Sequence, residues 1–287
     1  MSERRQLINL AYRLLGSVAD AEDVVQEAYA RWYAMPAAQQ AAIESPGAWL
    51  TRVAGRICLD QLRSARSRRE RYVGEWIPEP LPDRTGPGAA TADPGDQVTL
   101  DESVSMAFLV VLESMTPAER VAFILHDVFR YSFAEVAEIV GRTPAACRQL
   151  ASSARRRLPA ASTPATPTAQ QAGLVRAFKQ AWETADINAL ISLLAPDATA
   201  IGDGGGQVRA ALEPVQGAEQ VARFFAGRAG AMPGMIVLER TVNGRPGLVV
   251  RLDGGTVSVM AFDVADSRIR HIWAVLNPDK LRLWTAD

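Results

Sequence analysis

The feature that most constrains the fold of this chain is the punctuation of residues 116–158. Residues 116–119 (Thr-Pro-Ala-Glu) and 132–135 (Ser-Phe-Ala-Glu) both have the pattern of a capping box, which starts a helix. Residues 141–144 (Gly-Arg-Thr-Pro) combine a turn glycine with a threonine cap and a proline at the first helical position. A short helix, a glycine turn and a second helix predict a helix-turn-helix.

The last helix of this motif predicts one buried face and one polar face. The buried face would hold Cys147, Leu150, Ala151, Ala154 and Leu158. The opposite side carries Arg148, Gln149, Ser152, Arg155 and Arg156. In a major groove Arg can bond guanine and Gln can bond adenine, whereas basic residues on phosphates give affinity without sequence choice. The pattern therefore favours a DNA-reading helix over a merely solvated charged face.

The first 71 residues predict three further helices with contrasting charge. On the second helix, Asp20, Asp23, Val24 and Glu27 are expected to share one face. The third helix starts with a cap and a proline at residues 45–46 and buries a stripe that includes Trp49. Its other faces carry arginines, among them Arg52, Arg56 and Arg63, which taken alone are equally consistent with a solvated charged helix.

Charge distribution is more informative than the formal net charge of −1. Seven arginines lie between residues 52 and 71, and seven acids lie between residues 75 and 102. The acidic stretch is also rich in proline and glycine, so residues 72–102 predict a linker. Its tryptophan, in Trp76-Ile77-Pro78-Glu79-Pro80, is expected to dock somewhere rather than lie exposed by chance.

The predicted organisation has three domains and two linkers. Helical domains over 1–71 and 103–158 flank the first linker, and a Pro/Ala/Ser/Thr stretch over 159–169 leads to a domain over 170–287. That last domain predicts an α+β fold with a curved antiparallel sheet. Its expected strands lie near 197–201, 208–215, 234–243, 246–252, 256–264 and 268–276, with a helix near 217–229. Twelve basic and twelve acidic residues after residue 170 argue against a DNA-binding surface there.

Three further sequence features limit the class of protein to which this chain can belong. Cys58 and Cys147, the two cysteines, fall on apolar helical faces and predict buried reduced thiols. The N-terminus lacks a signal-peptide core, and no apolar run approaches membrane-spanning length. We expect a cytoplasmic protein that uses no membrane, metal or cofactor.

An acidic helix, an arginine-bearing helix and a helix-turn-helix, in that order over residues 3–158, resemble a bacterial RNA polymerase sigma factor of the extracytoplasmic-function type. The resemblance implies that residues 1–71 form region 2 and residues 103–158 form region 4. It further implies that Asp20, Asp23, Val24 and Glu27 bind the β′ subunit of core polymerase. The helix over 46–71 would recognise and open the −10 element, with Arg52, Arg56 and Arg63 as the candidate contacts for the exposed strand. The helix over 144–157 would read the −35 element.

The last domain resembles the SnoaL-like cone, the fold of ketosteroid isomerase, which a subgroup of these sigma factors carries as a fusion. Three motifs mark the subgroup: Trp-Leu-Pro-Glu-Pro, Asp-Gly-Gly-Gly-Lys and Asn-Pro-Asp-Lys-Leu. This chain has the motifs at 76–80, 203–207 and 277–281, with Ile77 for leucine and Gln207 for lysine. The second change puts in doubt any ion pair that the lysine would make.

These motifs predict an interdomain regulatory contact. We expect the glycine loop and the segment near the C-terminus to bind the tryptophan-bearing linker and so to couple the domain to the two DNA-reading domains. A flexible glycine turn is the plainer interpretation. The predicted participants are Trp76, Pro78, Pro80, Asp203, Gly204, Gly205, Gly206, Asn277, Pro278, Asp279, Lys280 and Leu281.

Catalysis is the weaker prediction for the cone. Candidate acids and bases are His271, Asp263 and Asp203, but spacing fixes no acid–base pair among them. We therefore expect a regulatory domain, with room for an unidentified small molecule in a pocket, and no enzyme activity. Two alternatives stay open: a one-component DNA-binding regulator that senses a ligand through the cone, and a SnoaL-like enzyme with a helical fusion.

Overall fold

The computed structural model describes residues 3–69, 72–82, 104–158, 168–208, 210–211 and 213–285. The chain divides into two compact units. Of the described residues, 3–69 and 108–158 form the first unit, and 72–82, 104–107 and those from 168 to 285 form the second. Predictions for the acidic stretch 83–102 and for residues 159–167 concern residues outside the described part of the chain.

The helical unit is built from short helices whose ends follow the predicted punctuation. Ser17 caps the second helix through the amide of Asp20, and both predicted capping boxes are formed. Gly141 takes the left-handed conformation (φ 72°) and ends the helix before the turn. The helices are α1 (Glu3–Leu15), α2 (Val18–Tyr33), α3 (Ala37–Ala41), α4 (Pro46–Arg69), α5 (Met106–Glu113), α6 (Pro117–Phe123), α7 (Phe133–Val140) and α8 (Pro144–Arg155).

A π-helical turn over Ile124–Val128 continues α6 and precedes α7. The α7–α8 pair is the predicted helix-turn-helix, and Cys147, Ala151 and Ala154 are buried as expected for its inner face. Both cysteine thiols are free and buried, which confirms that prediction. Burial raises the pKa of the Cys58 thiol well above its ordinary value, so this sulfur is kept neutral.

The second unit is an α+β domain with a curved six-stranded sheet, as predicted. Its helices are α9 (Thr168–Glu183), α10 (Ile187–Leu193) and α11 (Ala218–Ala231). Its strands are β1 (Leu194–Asp203), β2 (Val215–Gln216), β3 (Ile236–Val242), β4 (Arg245–Leu252), β5 (Gly255–Ala265) and β6 (Arg268–Val275). The strand order is β2-β1-β6-β5-β4-β3.

The sheet departs from the prediction in two places. It is mixed, because β1 runs parallel to β6 while the other neighbours are antiparallel. No hairpin joins β1 to β6, so local turn chemistry does not set their relative direction. The strand expected over 208–215 is reduced, among the residues described there, to the two-residue β2 at Val215–Gln216.

The helices cover one face of the sheet and form its aromatic core. Phe178 of α9 packs edge-on against Phe225 of α11 at 5.1 Å and against Phe262 of β5 at 5.4 Å. Trp182 of α9 packs edge-on against Phe225 at 5.2 Å and lies tilted against Phe178 at 6.4 Å. Burial of these four aromatic rings gives this unit a large apolar core of its own. In the part of the chain that the structure describes, no helix is both long and apolar enough to cross a membrane.

Candidate nucleic-acid interface and linker-binding site

The polar face of α8 is the most exposed basic surface of the helix-turn-helix. Arg148, Gln149 and Arg156 are exposed and Ser152 is half-buried. The guanidinium of Arg148 lies 5.2 Å from the ring centre of Phe133, on the first helix of the motif. This contact places the guanidinium against an aromatic ring of the preceding helix, while the side chain stays exposed.

Two carboxylates hold the C-terminal end of α8. Asp127 accepts two bonds from Arg155, at 2.7 Å from Nε and 3.1 Å from Nη2. Glu119 accepts a 2.7 Å bond from Ser153 Oγ, and Arg157 Nη2 lies 3.6 Å from its other oxygen. Burial opposes ionisation of Glu119, but bonds from Ser153 and the α6 cap hold its pKa below the ordinary value. It is therefore a charged anchor at neutral pH.

The acidic helix α2 presents three of its four predicted contact residues. Asp20, Asp23 and Glu27 are exposed, and Glu27 pairs with Arg31 one turn later. Val24 is fully buried, so its predicted place on a partner-binding face is wrong. The valine points with Ala21, Val25 and Ala28 into the helical core, because the apolar stripe of α2 overlaps the edge of its acidic face.

Two of the candidate arginines on α4 are bound to the helix-turn-helix. Arg52 Nη2 lies 2.6 Å from the Glu138 carboxylate, and Arg56 donates a 2.8 Å bond to the Glu138 carbonyl. Arg63 pairs within its own helix, with Asp60 at 3.3 Å. All of these side chains remain largely exposed, so water and ions compete for each contact.

The same helix approaches α7 closely beside these arginines. A Cβ placed on Gly55 would lie 2.9 Å from the side chain of Ile139, so only glycine permits this separation. Thr51 is buried and accepts a 3.1 Å bond from the Tyr131 hydroxyl. Glycine inside a helix lowers helix stability by about 1 kcal/mol relative to alanine. At residue 55 this cost is offset by the close packing of α4 against α7.

Asp203, at the end of β1, is the centre of a buried polar cluster. Its Oδ1 accepts bonds from the Tyr72 hydroxyl at 2.6 Å and the Gly205 amide at 3.0 Å. Its Oδ2 accepts bonds from the Ile77 amide at 3.0 Å and Lys280 Nζ at 2.6 Å. The carboxylate has no exposed surface, and these four donors replace its hydration.

Lys280 completes the cluster from the C-terminal side. Besides Asp203, its ammonium donates a 2.5 Å bond to the Ile77 carbonyl. It also lies 4.0 Å from the centre of the Trp76 ring and 5.4 Å from that of Tyr72. An ammonium with one carboxylate, one carbonyl and an aromatic face has a partner for each of its three donors.

The glycine loop, residues 203–207, is a closely packed turn and not the flexible turn of the plainer interpretation. A Cβ on Gly204 would lie 2.1 Å from the Val208 carbonyl oxygen. Gly205 has φ +61°, and a Cβ there would lie 2.4 Å from Asn277 Nδ2. Asn277 in turn donates a 3.0 Å bond to the Tyr72 hydroxyl and accepts one from Asp279 N. Loop and C-terminal motif are therefore joined through this asparagine.

Gln207, the position that departs from the subgroup motif, still reaches the third motif. Its amide donates a 2.8 Å bond to the Asp279 carboxylate. Bonds from Arg282 and Gln207 lower the pKa of Asp279. A neutral hydrogen bond thus occupies the place of any ion pair that a lysine would make here.

The linker segment, residues 72–82, continues along the same domain past this cluster. Leu81 exchanges bonds with Asn243, which accepts from its amide at 3.1 Å and donates to its carbonyl at 2.9 Å. Pro82 forms a single antiparallel bridge with Val242 of β3. The Trp284 indole donates a 2.8 Å bond to the carbonyl of Pro80, which is buried.

Sequence reasoning missed three members of this site: Tyr72, Asn243 and Trp284. Tyr72 lies outside the motif, at the end of the arginine-bearing helix. Asn243 precedes Gly244 in a hairpin turn, where a turn role is the obvious interpretation. Six of the predicted members make the contacts given above: Trp76, Asp203, Gly205, Asn277, Asp279 and Lys280. Three more, Pro78, Gly204 and Leu281, are buried beside them. Gly206 lies next to Val73.

Two of the three candidate acid–base residues of the domain, His271 and Asp263, lie at paired strand positions, and the third, Asp203, lies in the linker-binding cluster. His271 Nδ1 lies 2.7 Å from the Thr199 hydroxyl on the neighbouring strand, and the imidazole stacks on Trp273. Asp263 is the strand partner of His271 across β5 and β6. Asp203 is instead occupied by the linker segment and Lys280.

Two known protein families match the two parts of the helical unit. Residues 1–68 match the Sigma-70 region 2 family and residues 105–158 match the Sigma-70, region 4 family. The chain is 40% identical over 291 residues to the ECF RNA polymerase sigma factor SigJ of Mycobacterium tuberculosis, covering 96% of this chain and 90% of that one. This chain belongs to the extracytoplasmic-function (ECF) sigma factors.

Further matches extend over the full length of this ECF sigma factor. A crystal structure of Mycobacterium tuberculosis SigJ superposes with a TM-score of 0.75 at 37% identity, covering 97% of this chain and 95% of that one. A probable ECF sigma factor of the same organism, SigI, is 31% identical over 283 residues and covers 98% of this chain and 92% of its own length. The predicted family and the fused C-terminal domain are thereby confirmed.

Proposed function

We propose that this ECF sigma factor directs core RNA polymerase to promoters that carry a −10 and a −35 element. The observation that carries the proposal is the presence, on one helical unit, of exposed acids on α2, exposed arginines on α4 and an exposed polar face on α8. Each is the surface that a different partner requires: a basic protein helix, an opened DNA strand and a duplex major groove.

Core polymerase is proposed to bind the exposed acids of α2. Asp20, Asp23 and Glu27 present one negative face toward the β′ coiled coil, and the buried Val24 supports the helix from beneath. Electrostatic attraction of this kind mainly raises the association rate and fixes orientation.

The −10 element is proposed to bind Arg52, Arg56 and Arg63. Because Arg52 and Arg56 hold Glu138 in this structure, the same donors cannot bind Glu138 and DNA together. Promoter DNA offers several phosphates in place of one carboxylate and one carbonyl. We infer that −10 binding displaces Glu138 and separates α4 from α7.

The −35 element is proposed to be read by Arg148 and Gln149, with Ser152 and Arg156 alongside. Their exposure on the second helix of the motif supports this role. Arg148 and Gln149 lie nearer the N-terminal end of α8, which is the part of a recognition helix that contacts base edges.

Regulation in cis is proposed to act through the linker segment, which connects the regions that read the two elements. With residues 72–82 bound to the C-terminal domain, eleven of the residues that join α4 to α5 are held in place, or about 36 Å of extended chain. Binding the segment thus changes the separation available to regions 2 and 4. Tethering favours such a contact through an effective concentration in the millimolar range, roughly.

The C-terminal domain is proposed to act without catalysis. Asp203 is fully buried and bound by the linker segment and Lys280, which leaves no room for a substrate at its carboxylate, and His271 is hydrogen-bonded to Thr199. A bound small molecule is the finer proposal, supported by the buried indole N–H of Trp182, which has no acceptor among the described residues. An apolar ligand with one carbonyl oxygen would satisfy it.

Run-off transcription with bacterial core polymerase tests the proposed function. A promoter would first be selected from a random library by the full chain with core, and transcripts would then be measured with and without the chain. Promoter-specific transcripts that require both components are expected. DNA binding in the absence of polymerase, with no transcripts when it is present, would instead favour a one-component regulator.

A further inference from the structure

The charged residues of α8 fall into two groups according to what already holds them. At the C-terminal end, Arg155 is bound by Asp127, and Ser153 and Arg157 are bound by Glu119. Arg157 also donates a 2.9 Å bond to the carbonyl of Ser114. The end of the recognition helix is therefore fixed from two preceding elements of region 4.

The Arg155–Asp127 pair uses the geometry in which arginine binds a phosphate. Both contacts of the guanidinium fork, from Nε and Nη2, go to the two oxygens of one carboxylate. The charge of Arg155 is thereby neutralised, and a DNA phosphate approaching the same fork would meet the negative charge of Asp127. Because the fork is bidentate and the Asp127 side chain is 23% exposed, against 52% for Glu138, a phosphate displaces this carboxylate less readily than Glu138, and Arg155 adds little attraction for DNA.

Asp127 itself is set by an unusual backbone. It lies in the π-helical turn Ile124–Val128, where the Phe129 amide bonds to the Ile124 carbonyl at 3.1 Å. Arg130 then takes a left-handed conformation with φ 65°. Single π turns are frequent at functional sites, and the extra residue in the turn changes the direction of the side chains that it carries. Here that side chain is Asp127, which binds Arg155 of α8.

We propose that Arg155 and Asp127 are positioning residues for −35 recognition, and that Arg155 makes no phosphate contact. The pair would set the angle of α8 so that Arg148 and Gln149, two turns earlier, meet the base edges. The inference rests on the proposed function and revises one residue of the predicted DNA-contact set.

Holoenzyme binding to two promoters tests the pair. The full chain with core polymerase would be titrated with a promoter selected from a random library and with the same promoter carrying a scrambled −35 element, at several salt concentrations. Arg155→Gln and Asp127→Asn should each lower the preference for the selected promoter by about tenfold, the cost of one lost base contact. Neither should change the slope of log affinity against log salt.

Two further variants separate position from charge. The exchange Asp127→Arg with Arg155→Asp keeps an ion pair at the same place and should restore most of the preference. Arg156→Gln is the matched control, since Arg156 is exposed and its guanidinium has only the Ser152 hydroxyl, at 3.5 Å, among the described residues. It should weaken binding to both promoters alike and reduce the salt slope by about 0.9.

A phosphate contact by Arg155 gives the opposite pattern. Arg155→Gln would then behave like Arg156→Gln, and Asp127→Asn would tighten binding to both promoters. Either result, or an unchanged preference in both single variants, overturns the proposal. If the wild-type holoenzyme shows no promoter-specific binding at all, the proposed function is wrong. That result differs from failure of the Arg155–Asp127 proposal, in which the wild type binds specifically and only the variants behave otherwise than expected.

Discussion

Two ion pairs in this sigma factor have the same length but very different surroundings. Arg52 and Glu138, in the helical unit, and Lys280 and Asp203, in the C-terminal unit, both have an N–O distance of 2.6 Å. The first pair is 44% and 52% exposed, and the second is 11% and 0% exposed. An exposed pair contributes about 0–1 kcal/mol, whereas removing one partner of a buried pair costs about 3–5 kcal/mol.

The difference in burial indicates which of the two ion pairs can be replaced by another partner. Each charge in the Asp203 cluster has its remaining hydrogen-bonding capacity filled by the linker segment or the glycine loop. Water cannot substitute there without opening the whole cluster. At Glu138 the partners are reached by solvent, so DNA phosphates can compete for the same arginines. Distance alone would have ranked the two contacts as equal.

The largest expected effect comes from breaking the buried pair. Lys280→Met keeps much of the side-chain volume but leaves the Asp203 charge unpaired, and should cost the C-terminal unit about 3–5 kcal/mol of unfolding free energy. Urea unfolding of the full chain, with hydrogen exchange to assign the transition, measures it. Arg282→Met, which breaks the exposed pair with Asp279, is the control and should cost less than about 1 kcal/mol. Equal losses would refute the comparison.

An intermediate effect is expected when the glycine loop is disturbed. Gly205→Ala combines a positive φ with a Cβ only 2.4 Å from Asn277 Nδ2. The change should cost about 1–3 kcal/mol and release protection of the Ile77 amide in hydrogen exchange. Gly254→Ala has a comparable φ of +81° but open space around the Cβ, so it isolates the backbone cost. If both variants release Ile77 equally, the fitted contact with Asn277 is not what holds the segment.

A smaller effect on stability is expected at the exposed pair. Glu138→Gln removes the charge that holds Arg52 but keeps the backbone carbonyl that holds Arg56, and should change unfolding free energy by less than about 1 kcal/mol. Holoenzyme affinity for promoter DNA should rise, because Arg52 is freed. The control Glu44→Gln, at an exposed acid just before α4 that holds none of the candidate arginines among the described residues, tests whether loss of any nearby negative charge suffices. Weaker promoter binding by Glu138→Gln would contradict displacement.

The smallest expected effect is a change in acid stability at the start of α7. Hydrogen bonds from Ser132 hold the pKa of Glu135 below its ordinary value of 4.5. A carboxyl whose pKa is lowered by folding stabilises the protein above the unfolded value, and this contribution is lost as pH falls through the folded value. Glu135→Gln should therefore flatten the pH dependence of helical-unit stability below about pH 4.5. An unchanged acid profile would show that this cap contributes little.

Local chemistry made the helical unit predictable from sequence. Thr116, Ser132 and Gly141 act within four residues of their own positions, so their caps and turn follow from pattern alone. Val24 was misplaced because spacing locates a residue on a helix but does not say where the buried stripe ends. The parallel pairing of β1 with β6 was missed because it depends on the path of the whole domain.

The C-terminal site was only partly predictable. The motif at 203–207 was found through resemblance, which also suggested its contact with the linker segment. Tyr72, Asn243 and Trp284 bond to residues 131, 162 and 204 positions away in the chain. Single residues of common types carry no signal for contacts at such separations.

Run-off transcription from one selected promoter, comparing wild-type chain with Gly205→Ala, tests the central claim most directly. We predict core-dependent, promoter-specific transcripts from the wild type and a changed yield from the variant, with the helical unit still folded by hydrogen exchange. The direction of the change gives the sign of control by the C-terminal domain. Equal yields from both, with the Ile77 amide released in the variant, would contradict control through the linker segment.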